Sequence, residues 1–107
     1  LLKANCAAVV SEDQVEERGH STSSTDMGDI SCVMPTSSFG MGGVTGTGHG
    51  RTYKVVDKEL EYVIPAKVLA LTCVDLLYDG LAKKIVESFK PTIPLKEYRE
   101  FMYKIVS

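Results

Sequence analysis

The chain has 107 residues, enough for one domain, and its 44% hydrophobic and 24% charged residues are ordinary globular values that exclude disorder along its whole length. The formal net charge is −2, from 12 basic and 14 acidic residues, and no basic stripe stands out, so nucleic acid is not an expected partner. The most apolar run, Val63 to Leu71, contains Pro65 and Lys67 and is far shorter than the ~20 residues of a membrane span, so a membrane is not expected either.

At the N-terminus, Leu1, Leu2, Cys6 and Val9 recur at helical spacing. They predict a helix over Leu1 to Val10, followed by a polar connector from Ser11 to Arg18. No signal-peptide pattern opens the chain. The helix reads as one that begins upstream of Leu1, so the chain is expected to be a fragment, a processed chain or a degenerate remnant of a longer protein. Cys6, Cys32 and Cys73 are widely spaced and odd in number, with no C-x-x-C pair. They are expected to be reduced, mostly buried small hydrophobes of a cytoplasmic protein, and no local signature marks any of them as a nucleophile.

Residues 19–56 are rich in Ser, Thr and Gly. The run Ser21 to Asp26 offers several helix N-caps, and a short helix through Met27, Ile30, Ser31 and Val33 is predicted, ended by Pro35. One or two strands are expected around Pro35 to Val44. Six glycines then fall within eleven residues, from Gly40 to Gly50. Such density permits close approach of the backbone to a ligand or another strand, at an entropic cost that a scaffold must offset. The stretch is not a phosphate loop. No G-x-x-x-x-G-K-[ST] is present, Arg51 stands where the Lys-Ser/Thr pair would be, and Gly40 and Gly42 are followed by Thr45 rather than a third glycine.

His49 lies within it as Gly48-His49-Gly50. By itself this is a solvent-exposed loop histidine; its glycine flanks also suit a metal ligand or a general base. His20 has the same ambiguity in weaker surroundings, and neither has a second histidine at i+4. Ser24-Thr25-Asp26 reads as an N-cap, with Asp29 favourable to the helix dipole in the first turn. Asp26 and Asp29 would share a face, as a paired-carboxylate site also requires. Asp57 and Glu59 read as solvated residues leading into a long helix.

Residues 57–107 are predicted helical. Pro65 suits a first turn, and Ile64, Val68, Leu71, Val74, Leu76 and Leu77 make a face that Leu69, Ala70 and Cys73 widen. A helix apolar on so many sides is expected to be buried. Gly80 can end it. Leu81, Ile85 and Phe89 continue at helical spacing, with Lys83, Lys84 and Glu87 toward solvent. Pro91 stops that piece, and Leu95, Tyr98, Met102 and Ile105 mark a last helix. No internal repeat is visible.

The segments Ser23-Ser24-Thr25-Asp26-Met27-Gly28-Asp29-Ile30-Ser31, Val33-Met34-Pro35-Thr36 and Gly46-Thr47-Gly48-His49-Gly50, then Pro65 to Ala70, taken in this order, resemble one family. It is the dinuclear metallo-aminohydrolases, which include aminobenzoyl-glutamate hydrolase, carboxypeptidase G and the aminoacylases. The resemblance runs through nearly the whole chain. It implies an α/β parent fold, a central sheet flanked by helices, of which residues 1–107 supply a helix-rich piece with one or two strands and about four helices. The implied activity is hydrolysis of an amide bond in N-acyl amino acids or small peptides, in a homodimeric parent enzyme holding two divalent ions (Zn, Mn or Co). His49 matches the family's C-terminal metal-binding histidine. Thr25 and Asp26 match a turn on the substrate side, giving substrate contacts or support behind them. Gly46 and Gly48 would let the backbone approach the substrate. A carboxylate elsewhere in the parent would act as general base toward a metal-activated water.

The family's other ligands, an earlier His-x-Asp segment, a Glu-Glu pair and a further acid or histidine, are not in this chain. Neither is the lid and dimerisation domain, and Ser23 stands where the motif usually has glycine. No catalytic residue is therefore expected within these 107 residues, and the chain alone is expected to be inactive. The alternative on the residues themselves is a non-catalytic helical binding or structural domain with a glycine-rich ligand loop.

Overall fold

The computed structural model describes residues 1–19 and 24–106. The chain divides into two compact units, one built from Leu1–Glu17 and Ser38–Asp79, the other from Arg18–Ser37 and Gly80–Ser107. Five α-helices and one two-stranded hairpin are present among the described residues.

In the first unit, helix α1 (Leu2–Val10) packs against helix α3 (Ile64–Leu77). Their contact holds Val68, the one hydrophobic side chain among the described residues that is withdrawn fully from solvent. Beside it the buried Asn5 donates from Nδ2 to Thr72 Oγ1 at 3.1 Å and to Asp75 Oδ2 at 2.9 Å. Thr72 Oγ1 in turn donates to the Val68 carbonyl at 2.8 Å. Burying an amide requires such partners, because leaving its hydrogen-bonding groups unpaired costs about 1–3 kcal/mol. Neither Asn5 nor Thr72 was legible as a core position, since an apolar pattern marks only apolar neighbours.

Helix α3 departs from its expected burial. Leu69, Leu71, Val74 and Leu77 all stay exposed, Leu77 at 83%. Of the helices in this unit only α1 lies along α3, and one helix covers one stripe of its partner, not a surface apolar on most sides. Pro65 falls in the first turn of α3 as expected. The strand expected around Pro35 to Val44 is also corrected. Residues 35–43 carry no regular structure, and pairing begins only at Val44. Strand β1 (Val44–Thr45) runs antiparallel to β2 (Lys54–Val55), with Val44 opposite Val55 and Thr45 opposite Lys54. Pro35 offers no amide and the glycines offer no side chains to pack, so this run lacks what a strand needs. The described residues thus form a helix-rich piece with two short strands, as expected, and these two residues of pairing are all the sheet that the described residues contain.

In the second unit, helix α2 (Met27–Val33) ends with the Cys32 carbonyl accepting the Thr92 amide at 2.9 Å. Helix α4 (Leu81–Ser88) half-buries Leu81 and Ile85, with Phe89 just beyond it, and keeps Lys83, Lys84 and Glu87 in solvent, as the spacing predicted. Helix α5 (Leu95–Val106) half-buries Tyr98 and Met102 while Leu95 and Ile105 are exposed. Asp79 at φ 49° and Gly80 at φ 66° break the chain between α3 and α4. All three cysteines are unpaired; Cys6 and Cys32 are half-buried, but Cys73 is exposed, on the open side of α3 rather than in a core. Among the described residues no helix is long and apolar enough to cross a membrane.

Candidate functional site

The last three glycines of the run, Gly46, Gly48 and Gly50, fold into the loop between β1 and β2, while Gly40, Gly42 and Gly43 precede β1. Gly46 leaves β1 at φ 90°, where a Cβ would collide with the Thr52 carbonyl across the loop. No residue with a side chain fits there without moving backbone, so this glycine is set by sterics and conformation together. Beyond it the Gly50 amide donates to the Thr47 carbonyl at 2.8 Å, closing a four-residue turn, and the Tyr53 amide donates to the Gly50 carbonyl at 3.2 Å. The Thr47 amide is held by Thr52 Oγ1 at 3.2 Å.

His49 occupies the third position of the first turn, at φ 61°, and is exposed. That position in a turn with positive φ ordinarily takes glycine or asparagine, and a histidine there is uncommon. Gly48 has open space around it. The loop therefore presents the imidazole to solvent from a backbone-fixed turn, with no packing around it to hold it inward.

Thr25 and Asp26 fall in the other unit, at the start of α2. Thr25 Oγ1 accepts the Met27 amide at 3.4 Å, and its carbonyl accepts the Gly28 amide at 3.0 Å. Asp26 stands at the N-cap position but makes no side-chain capping bond, because its backbone is already helical at φ −60° and ψ −19°. Of the expected cap candidates it is therefore Thr25 whose side chain meets a first-turn amide, and the Asp26 carboxylate stays exposed along with Asp29. His20, Ser21, Thr22 and Ser23 lie outside the described residues.

Among the described residues no three His, Cys, Asp or Glu side chains come together to hold a metal ion. One imidazole cannot fill the three or four protein positions that a zinc ion takes, so the residues present do not by themselves make a metal centre. Two acidic residues, Asp57 and Glu61, carry structure that was not assigned from the sequence. Asp57 Oδ1 accepts the Leu60 amide at 3.0 Å and its carbonyl accepts the Glu61 amide at 3.1 Å. It thereby caps a π-helical turn, Glu59–Val63, that runs directly into α3. The signal was available: an aspartate three residues before an amide that needs a partner is N-cap spacing. Nothing in the sequence marks Glu61, which lines a cleft of about 450 Å³ with Phe39, Met41, Tyr53, Pro65 and Leu69.

Lys3 Nζ lies 2.9 Å from Glu17 Oε1. The hydrogen bond to Glu17, then its charge, pushes the Lys3 ammonium above its usual value, and the same bond and charge pull the Glu17 carboxyl below its own. Both side chains are exposed and remote from the hairpin in sequence, so the pair bears on stability rather than on the site.

Comparison with known proteins yields no match: no family model, no curated protein and no solved structure matches the chain.

Proposed function

We propose that this chain is the C-terminal part of the catalytic domain of a metal-dependent amidohydrolase of the metallo-aminohydrolase type, and that His49 supplies one metal ligand. The observation that carries the reading is the conformation of His49, a non-glycine residue in left-handed backbone at the exposed tip of a turn. Holding a residue there costs on the order of 1 kcal/mol, and such strain concentrates at functional sites. The order of the Ser-Thr-Asp, Pro and Gly-His-Gly segments adds the reaction class: hydrolysis of an amide in an N-acyl amino acid or small peptide. Thr25, Asp26, Gly46 and Gly48 are the proposed substrate-side positions. The remaining ligands and the general base would come from outside these 107 residues, so no chemical step is assigned to this chain alone.

The experiment is His49→Ala in the full-length protein, with metal content and amidase rate measured together. The expected result is loss of bound metal and of rate, on the order of a hundredfold or more when a direct ligand is removed. Unaltered metal content and rate would sink the assignment. His49→Gly is the control for backbone strain: it should lose the metal equally while matching or exceeding the parent's thermal stability. An upstream His-x-Asp segment and a Glu-Glu pair in the transcript that encodes Leu1 would support the same reading independently of the imidazole.

A further inference from the structure

The cleft beside the hairpin is built by the same glycine-rich segment, but on its other side and from different chemistry. Gly43 sits at φ 88°, and a Cβ there would stand 2.6 Å from the Asp57 carbonyl and 3.0 Å from the Glu61 amide. The Gly43 carbonyl accepts both the Val56 and Asp57 amides, at 2.8 and 3.0 Å. Backbone thus lies directly on the π-helical turn, and Phe39 and Met41, just before Gly43, line the cleft together with Glu61, Pro65 and Leu69. Tyr53, next to β2, lines it as well. A π-helical turn is a rare and costly element that recurs at functional sites.

Two features define what would fit. The walls are aromatic and aliphatic, and the one charged side chain among the lining residues is the half-buried Glu61. Its neighbour Glu59 pairs with Lys67 at 3.6 Å, whereas Glu61 makes no ion pair among the described residues. An uncharged apolar ligand would take water from that carboxylate and return nothing. An anion would meet it directly. A cation on a short apolar stem answers both features, because aromatic faces and a carboxylate attract the same positive charge. We propose that this cleft binds an alkylammonium group, borne either by a free amine or by a lysine side chain, with Glu61 as the counter-charge and the Phe39 and Tyr53 rings as its apolar walls. The proposal stands apart from the metal reading, since it uses neither His49 nor any residue assigned to substrate there.

The test is a two-dimensional NMR titration of the full chain with choline, at constant ionic strength. Beside it run choline's uncharged isostere, in which carbon replaces nitrogen, and a blocked tripeptide with a central lysine. Saturable shifts confined to residues 39–43, 53 and 61 are expected, with the isostere weaker by roughly tenfold. Glu61→Gln should weaken choline by a similar factor while leaving the rest of the spectrum in place, and Tyr53→Leu should weaken it less. Tighter binding of choline identifies a free small-molecule ammonium compound as the ligand, and tighter binding of the peptide identifies a protein lysine. Equal affinity for the isostere, an unaffected Glu61→Gln variant, or shifts that never saturate would each overturn the proposal.

Discussion

Helices α1 and α3 meet through side chains, with Val68 filling the contact and Asn5 bonded to Thr72 and Asp75 beside it. The hairpin from Gly43 to Asp57 is held another way, by amides and carbonyls at places where Gly43 and Gly46 leave room for no Cβ. The first region tolerates a change of shape if volume and hydrogen bonds are kept; the second tolerates almost no added atom at its glycines. Polar side chains can therefore be displayed from the hairpin without serving its packing, and His49 is displayed in this way.

The largest effect is expected at Gly46. Gly46→Ala should cost on the order of 3 kcal/mol, from positive φ and the collision with the Thr52 carbonyl together, and should abolish the cross-strand contact of Val44 with Val55. Urea unfolding and NOE spectra would check it; a variant with an intact hairpin would show that the loop is less constrained than its backbone contacts imply. Val68→Ala should cost about 2 kcal/mol by opening a cavity between α1 and α3, and should leave the hairpin amides unshifted. Equal spectral change in both regions would mean that they fold as one and that the contrast is false.

Asn5→Leu sharpens the helix side. Removing the amide takes a donor from the Asp75 carboxylate and from the Thr72 oxygen, which keeps its own bond to the Val68 carbonyl, for an expected cost of about 1–2 kcal/mol by thermal denaturation. Asn5→Asp should be worse at neutral pH, because it sets a second carboxylate against Asp75. If Asn5→Leu proved stabilising, register rather than hydrogen bonding would be the role of this cluster.

The smallest effect belongs to Lys3 and Glu17. The Glu17 carboxyl is held below its ordinary value, so what it adds to stability is present above that value and is lost as pH falls through the depressed one. The Lys3 ammonium is raised, so its share is present below the ordinary lysine value and is lost as pH rises through the raised one. Both groups are in solvent, and salt should erase the effect. Side-chain NMR titration of Glu17, with Lys3→Met returning it to the ordinary range, is the measurement.

Local order was readable because it depends on neighbours in the chain. The helices over Leu2–Val10, Met27–Val33 and Leu81–Ser88, the use of Pro65 in a first turn, and the inward positions of Leu81, Ile85 and Phe89 all follow from spacing and from proline's fixed φ. The glycine cluster was legible as a place of close approach, and His49 as its one imidazole. What approaches the glycines was not legible, because Thr52 and Asp57 reach Gly46 and Gly43 only once the chain has turned back on itself. The same holds for the cleft, whose lining joins residues 39–41 to residues 53–69. Asn5 with Asp75, seventy positions apart, is the extreme case: nothing local marks their meeting, in which Asn5 is buried and Asp75 half-buried.

Helix α3 shows the limit from the other side. Its composition determined that it would be a helix and apolar, but burial is a property of what covers a surface, and α1 covers one stripe. Hydrophobic pattern, turn residues and glycine density are local quantities that the sequence by itself determines. Which apolar faces are covered, which carboxylate loses its neighbours and which turn takes a left-handed histidine were decided by tertiary structure, because each depends on atoms brought together from distant parts of the chain.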